Sequence, residues 1–67
     1  MRKTTRQEQS VMEYLNRLRN SGVTNMFGAA PYVQQEFGLD RVEARRILTL
    51  WMKNFNEEAD YSEVKEE

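Results

Sequence analysis

Three arginines, Arg41, Arg45 and Arg46, lie within six positions of one another near the middle of the chain. A guanidinium group presents a planar set of donors that can bind a phosphate or the edge of a guanine. The same side chains could instead pair with Glu43 or Glu36 on an ordinary solvated surface. The sequence therefore leaves two interpretations of this cationic cluster open, a binding surface or a set of surface ion pairs.

The residue types needed for most other chemistry are missing. The 67-residue chain contains no Cys and no His, so disulfides are excluded and an ordinary zinc site lacks its soft ligands. The commonest catalytic bases and thiol nucleophiles are absent as well, and no acidic pair shows a catalytic pattern. We therefore expect no enzyme activity, no metal site and no cofactor.

Charge is unevenly distributed along the chain. Residues 1–54 hold nine Lys or Arg against five Asp or Glu, whereas residues 55–67 hold one Lys against six Asp or Glu. This split predicts a basic domain over residues 1–55 and an acidic, partly disordered tail over 56–67. The tail could keep the protein soluble, shield the arginines or mimic nucleic acid. Alternatively, Tyr61 and Val64 could pack back onto the domain.

A first helix is predicted over residues 5–20. Thr5 and Glu8 have the spacing of a capping box, in which each side chain accepts a hydrogen bond from the other residue's amide. Gly22 can end the helix in the left-handed conformation. Apolar residues recur with helical spacing along one face, and they are Val11, Tyr14, Leu15 and Leu18.

The second element is harder to delimit because Pro31 lacks an amide and crowds the preceding turn of a helix. Either residues 24–28 form a separate short turn and the helix begins near Ala29 or Ala30, or one helix begins early and kinks at Pro31. We favour a continuous, irregular element over residues 25–37. Its expected buried side chains are Met26, Phe27, Ala30, Val33 and Phe37.

A third helix is predicted over residues 41–55. Gly38 permits a sharp turn, and Asp40 with Glu43 has the spacing of a second capping box. Val42, Leu50 and Met52 fall partly outside the apolar stripe, which consists of Ala44, Ile47, Leu48, Trp51 and Phe55. The predicted fold class is therefore all-α, a three-helix bundle.

The stretch around Gly38 resembles the helix-turn-helix family of DNA-binding domains, in which a small residue, usually Gly, follows the first of two helices that cross at a steep angle. Gln34 departs from the family pattern, because the family generally has Ala or another small residue at this position, against the second helix. The matching apolar positions are Val33, Phe37, Leu39, Ala44 and Ile47. A longer string, from Gly22 to Met52, also resembles small uncharacterised proteins of bacteriophages, which implies no function.

The helix-turn-helix resemblance implies that the third helix is a recognition helix that binds duplex DNA. The implied contacts of this helix to bases and phosphates are Arg41, Val42, Arg45, Arg46 and Thr49. Two residues of the first helix, Arg17 and Arg19, are implied as further contacts. Such proteins often dimerise, and a homodimer or protein partner could use an exposed patch of Leu50, Met52 and Phe55. The implied function is a DNA-binding or transcription-regulatory accessory protein.

The alternative function is a protein-interaction module, for example one that binds a host factor, without nucleic-acid binding. No apolar run approaches the ~20 residues that span a bilayer, and the first ten residues are not followed by a signal-peptide core. We therefore expect a cytoplasmic protein that does not contact a membrane.

Overall fold

Three α-helices and a small two-stranded sheet account for most of the computed structural model, which describes residues 1–66. A single 3₁₀ turn lies between the first two helices. In chain order the elements are β1 (Arg2–Lys3), α1 (Arg6–Ser21), the 3₁₀ turn (Met26–Gly28), α2 (Ala30–Phe37), α3 (Arg41–Asn54) and β2 (Glu63–Val64). The three predicted helices are confirmed, and the sheet is an addition to them.

Helix α1 begins and ends where its capping residues predict. The Thr5 hydroxyl accepts a hydrogen bond from the Glu8 amide at 3.1 Å, and the Glu8 carboxylate accepts one from the Thr5 amide at 2.8 Å. Gly22 then closes the helix with a φ of 70°. The buried face carries Val11 and Leu15, as expected, together with Met12.

The prediction of one continuous element over residues 25–37 is wrong. The Asn25 side chain accepts a hydrogen bond from the Gly28 amide at 3.0 Å, which holds a separate 3₁₀ turn. Helix α2 begins only at Ala30, so Pro31 lies in its first turn, where a missing amide costs no hydrogen bond. As a consequence Phe27 lies outside the core and is 88% exposed.

The chain reverses at Gly38, which adopts a φ of 66° and donates its amide to the Gln34 carbonyl at 2.9 Å. Asp40 then caps α3 by accepting a hydrogen bond from the Glu43 amide at 2.8 Å. The reciprocal half of the expected capping box is absent from the hydrogen bonds of residues 1–66, because the Glu43 carboxylate binds Arg46 instead. Helix α3 ends at Asn54, one residue earlier than predicted.

The acidic end of the chain packs against the bundle, which differs from the loose tail expected for residues 56–67. Strand β2 pairs antiparallel with β1, with Arg2 opposite Val64. The side chains of Tyr61 and Val64 are buried within the hydrophobic core. A strand pairing across more than sixty residues depends on long-range contacts that local composition does not reveal. Glu67 lies outside the described residues.

All three helices contribute to one core, and the Tyr14 and Phe37 rings meet edge-on at 5.5 Å between α1 and α2. The fully buried aliphatic centre comes from α1, α2 with the residue before it, α3 and β2, and it consists of Val11, Met12, Leu15, Ala29, Val33, Ala44, Ile47 and Val64. Among residues 1–66 no helix is both long and apolar enough to cross a membrane.

Candidate functional site

The exposed face of α3 is the most distinctive surface of the molecule. Residues spaced by three or four positions lie on the same side of a helix, and this spacing brings four of the predicted contact residues together, Arg41, Val42, Arg45 and Thr49. Val42 is 79% exposed. The two arginines and Thr49 offer hydrogen-bond donors, and Val42 offers an apolar contact, so this face could bind a polyanion that also presents apolar groups.

Arg41 and Arg45 keep their charges available to a ligand. Within residues 1–66 the ion pairs involve Arg2 and Arg46 but neither of these two side chains. Both are exposed on α3, and neither makes a side-chain hydrogen bond to another described residue. An incoming phosphate or carboxylate therefore does not have to displace an internal partner from them.

Arg46 behaves differently, and the ion-pair interpretation holds for this residue. Its guanidinium binds Glu43 in a bidentate manner at 2.8 and 2.6 Å and reaches Glu8 at 3.0 Å. These carboxylates raise the pKa of Arg46, and the hydrogen bonds from Arg46 lower the pKa of Glu43. The expected role of Arg46 as an available contact to DNA is therefore not supported by its geometry.

Glu8 is the centre of this ion-pair network and is only 3% exposed. Its carboxylate accepts hydrogen bonds from the Arg2 guanidinium at 3.0 and 3.1 Å, from Arg46 and from the Thr5 amide. The hydrogen bonds from Arg2, with those from Thr5 and Arg46, lower the pKa of Glu8 to about 2 despite its burial. The network ties β1, α1 and α3 together and so fixes the orientation of α3. Sequence reasoning identified Glu8 only as a capping residue.

The arginines of α1 do not join the α3 face. The Arg19 guanidinium lies 4.5 Å from the centre of the Phe55 ring, a cation–π arrangement. Arg17 lines a separate hollow that it shares with Glu57 and Glu58. The predicted set of seven DNA contacts is thus divided, and the members that form a common face are Arg41, Val42, Arg45 and Thr49 of α3.

The predicted partner patch of Leu50, Met52 and Phe55 is not one surface. Leu50 is buried, and Phe55 is partly buried against Trp51 with their ring centres 5.4 Å apart. Met52 is exposed, but it lies on the same side of α3 as Arg41 and Arg45. Tyr61 and Val64 of the returning acidic segment lie in the same core cluster as Leu50, and Phe55 packs against that cluster, so this part of α3 is enclosed within the domain.

A buried polar cluster also orients α3, and the sequence analysis did not predict it. The Trp51 indole donates to the Asn16 side-chain oxygen at 2.8 Å, and the Tyr61 hydroxyl donates to the same oxygen. The Asn16 amide in turn donates to the carbonyl of Asn56 at 2.9 Å. Asn16 is a polar residue next to the apolar stripe of α1, which was the available signal. One side chain therefore joins α1, α3 and the C-terminal segment.

A groove of about 710 Å³ has α3 as one wall, and the 3₁₀ turn together with α2 as the other. Arg41 and Arg45 lie along it, so it borders the exposed face of α3 described above. Its apolar lining includes the exposed side chains of Phe27 and Met52 and the largely buried side chain of Leu48. The α3 surface therefore combines two cationic side chains with an apolar depression.

Comparison of the chain with models of protein families, with curated proteins and with solved structures gave no match. The acidic side chains of residues 1–66 form no cluster of three or more that could hold a metal ion.

Proposed function

We propose that this chain is a small DNA-binding protein of the helix-turn-helix type, with α3 as the recognition helix and a role as a transcription-regulatory accessory. The observation that carries the proposal is the exposed face of α3, where Arg41 and Arg45 have no acidic partner among residues 1–66. The reversal at Gly38 supports it, because α2 and α3 are joined by the short turn that the motif requires.

The proposed contacts follow from the chemistry of each side chain. Arg41 and Arg45 bind phosphates or guanine edges, and Val42 contacts a thymine methyl group. Thr49, one turn after Arg45, donates its hydroxyl to a phosphate. Arg46 serves instead to hold α3 in place through Glu8 and Glu43. Phosphate contacts supply most of the affinity of such a small interface.

A titration of a labelled duplex of about 20 base pairs, followed by fluorescence anisotropy between about 50 and 200 mM salt, tests the proposal. Each of Arg41→Ala and Arg45→Ala should weaken binding and reduce the slope of log K against log salt by about 1 for a lost phosphate contact. Arg6→Ala is the matched control, since Arg6 is exposed on α1, takes part in none of the ion pairs of residues 1–66 and does not line the groove along α3. Absence of salt-dependent binding by the wild type, or an equal loss in the control, would reject DNA binding.

The second candidate function is a protein-interaction module, and a specific observation favours it. Phe27 is 88% exposed beside the groove along α3, and Met52 is exposed at the same groove. Aromatic residues, Met and Arg are the side chains enriched at protein interfaces. A protein partner could bury both apolar side chains, whereas the phosphate backbone of DNA has no comparable apolar surface to offer them.

A further inference from the structure

The groove between α3 and the 3₁₀ turn has an apolar interior and a cationic edge. Phe27, Pro31, Leu48 and Met52 supply apolar surface, while Arg41 and Arg45 supply charge. Within residues 1–66 no acidic side chain lines it. A ligand that fits this combination presents apolar groups to the interior and anionic groups, such as carboxylates, to the arginines.

We propose that the groove binds an acidic amphipathic helix of a partner protein. Such a helix places apolar side chains at positions i, i+3 or i+4, and i+7 on one face, which is the pattern that docks into apolar grooves. These side chains cover Phe27, Leu48 and Met52, and acidic residues flanking them pair with Arg41 and Arg45. The proposal deepens the protein-interaction function and does not require that the chain bind DNA.

The acidic segment of a second copy is a poor occupant. Its large apolar side chains, Tyr61 and Val64, are already buried in its own core. Glu66 is paired with Arg2 at 2.6 Å, and Asn54 of α3 holds the Lys65 backbone through two hydrogen bonds of 2.7 Å. This segment would have to leave its own domain before it could present an apolar face, so a different protein is the better fit.

The arginines that the helix would engage are the same two that are proposed to bind DNA. A bound acidic helix therefore places carboxylates where phosphates would lie, and the two ligands compete. Competition gives the partner a way to remove the chain from DNA. It also provides an independent readout of where the helix binds.

The probe is a designed peptide of about 16 residues, roughly 24 Å long as a helix, with leucines at i, i+4 and i+7 and glutamates on the flanking positions. One control peptide has the same composition in a shuffled order that destroys the apolar face, and another replaces the glutamates with lysines. Binding is followed by anisotropy of the labelled peptide, and its location by ¹⁵N–¹H correlation spectra of the full chain.

We expect the acidic helix to bind at or below about 1 mM and to shift the amide signals of residues 27–30 and 48–52. Phe27→Ala should weaken binding about tenfold, as expected for a contact residue at the centre of an interface. Arg41→Glu and Arg45→Glu should weaken it further. Val23→Ala, an exposed apolar residue outside the groove lining, and Arg6→Glu are matched controls that should leave binding unchanged.

Circular dichroism shows whether each variant remains folded, and all five substituted side chains are exposed. The proposal is overturned if the folded wild type ignores the acidic peptide at about 1 mM, or if the shuffled or lysine peptide binds equally well. It is also overturned if duplex DNA, but not the acidic peptide, shifts the amide signals of the groove residues. That result would still be consistent with the DNA-binding proposal. If the duplex does not bind but the acidic peptide does, the DNA-binding proposal is rejected and the groove proposal stands.

Discussion

Protonation of Glu8 should destabilise the fold, because its carboxylate joins β1, α1 and α3 only while it is charged. The hydrogen bonds from Arg2, Thr5 and Arg46 lower its pKa from 4.5 to about 2. A group whose pKa is lower in the folded state stabilises that state above its unfolded pKa and loses this contribution as pH falls towards the folded value. The contribution of Glu8 should therefore be complete above about pH 4.5 and gone near pH 2.

The size of the effect follows from the pKa difference. At about 1.4 kcal/mol per pH unit, a fall from 4.5 to about 2 corresponds to roughly 3 kcal/mol of unfolding free energy. The side chains of Arg2 and Arg46 remain 34% and 45% exposed, so solvent screens part of the attraction. We expect about 2 kcal/mol, which is a large share of the stability of a domain of this size.

Urea unfolding followed by circular dichroism at pH 7, 4.5, 3 and 2 measures this contribution. Glu8→Gln should be less stable than the wild type by about 2 kcal/mol or more at pH 7, since it also leaves Arg2 and Arg46 without their charged partner. The difference in unfolding free energy between the wild type and Glu8→Gln should narrow as pH falls towards 2. Glu13→Gln, on the exposed side of α1, is the control and should change stability by less than about 0.5 kcal/mol. A gap between wild type and Glu8→Gln that is constant from pH 7 to 2 would refute the reasoning.

Two further substitutions and one truncation test the elements that position α3. Asn16→Leu should lower the unfolding free energy by about 3 kcal/mol in urea titrations, because Trp51 and Tyr61 both lose their buried acceptor. Gly38→Ala should cost about 1 kcal/mol in the same assay, since an added Cβ meets no atom within 4 Å but the φ of 66° is strained for Ala. Ending the chain after Asn54 should abolish the cooperative thermal transition seen by circular dichroism, because it removes core side chains. A shortened chain that unfolds like the full one would contradict the packing of the acidic segment.

The helices could be predicted from the sequence because their signals are local. The Thr5–Glu8 capping box and Gly22 delimit α1, and Asp40 marks the start of α3 after the turn at Gly38. The apolar stripe of α3 identified its buried face correctly. Leu50 is the exception, since it lies partly outside that stripe and is nevertheless buried.

The remainder could not be predicted because it depends on contacts between distant parts of the chain. The pairing of Arg2 with Val64, and of Glu8 with Arg46, joins residues that share no periodic pattern. A high local density of acidic residues suggested disorder, and the two apolar residues that anchor the segment, Tyr61 and Val64, were too few to give a periodic signal. Of the three arginines predicted as contacts, Arg41 and Arg45 are exposed, whereas Arg46 is committed to ion pairs that the sequence alone could not distinguish from an available charge.

Arginine side-chain spectra provide the most direct test of the α3 surface. A ¹⁵N–¹H titration of the full chain with a short duplex at low salt should shift the Nε–Hε signals of Arg41 and Arg45, and added salt should reverse the shift. The signal of Arg46, held by Glu8 and Glu43, should move less than either. Unchanged signals of Arg41 and Arg45 at saturating duplex, or shifts confined to Arg17 and Arg19 on α1, would contradict α3 as the DNA-binding surface.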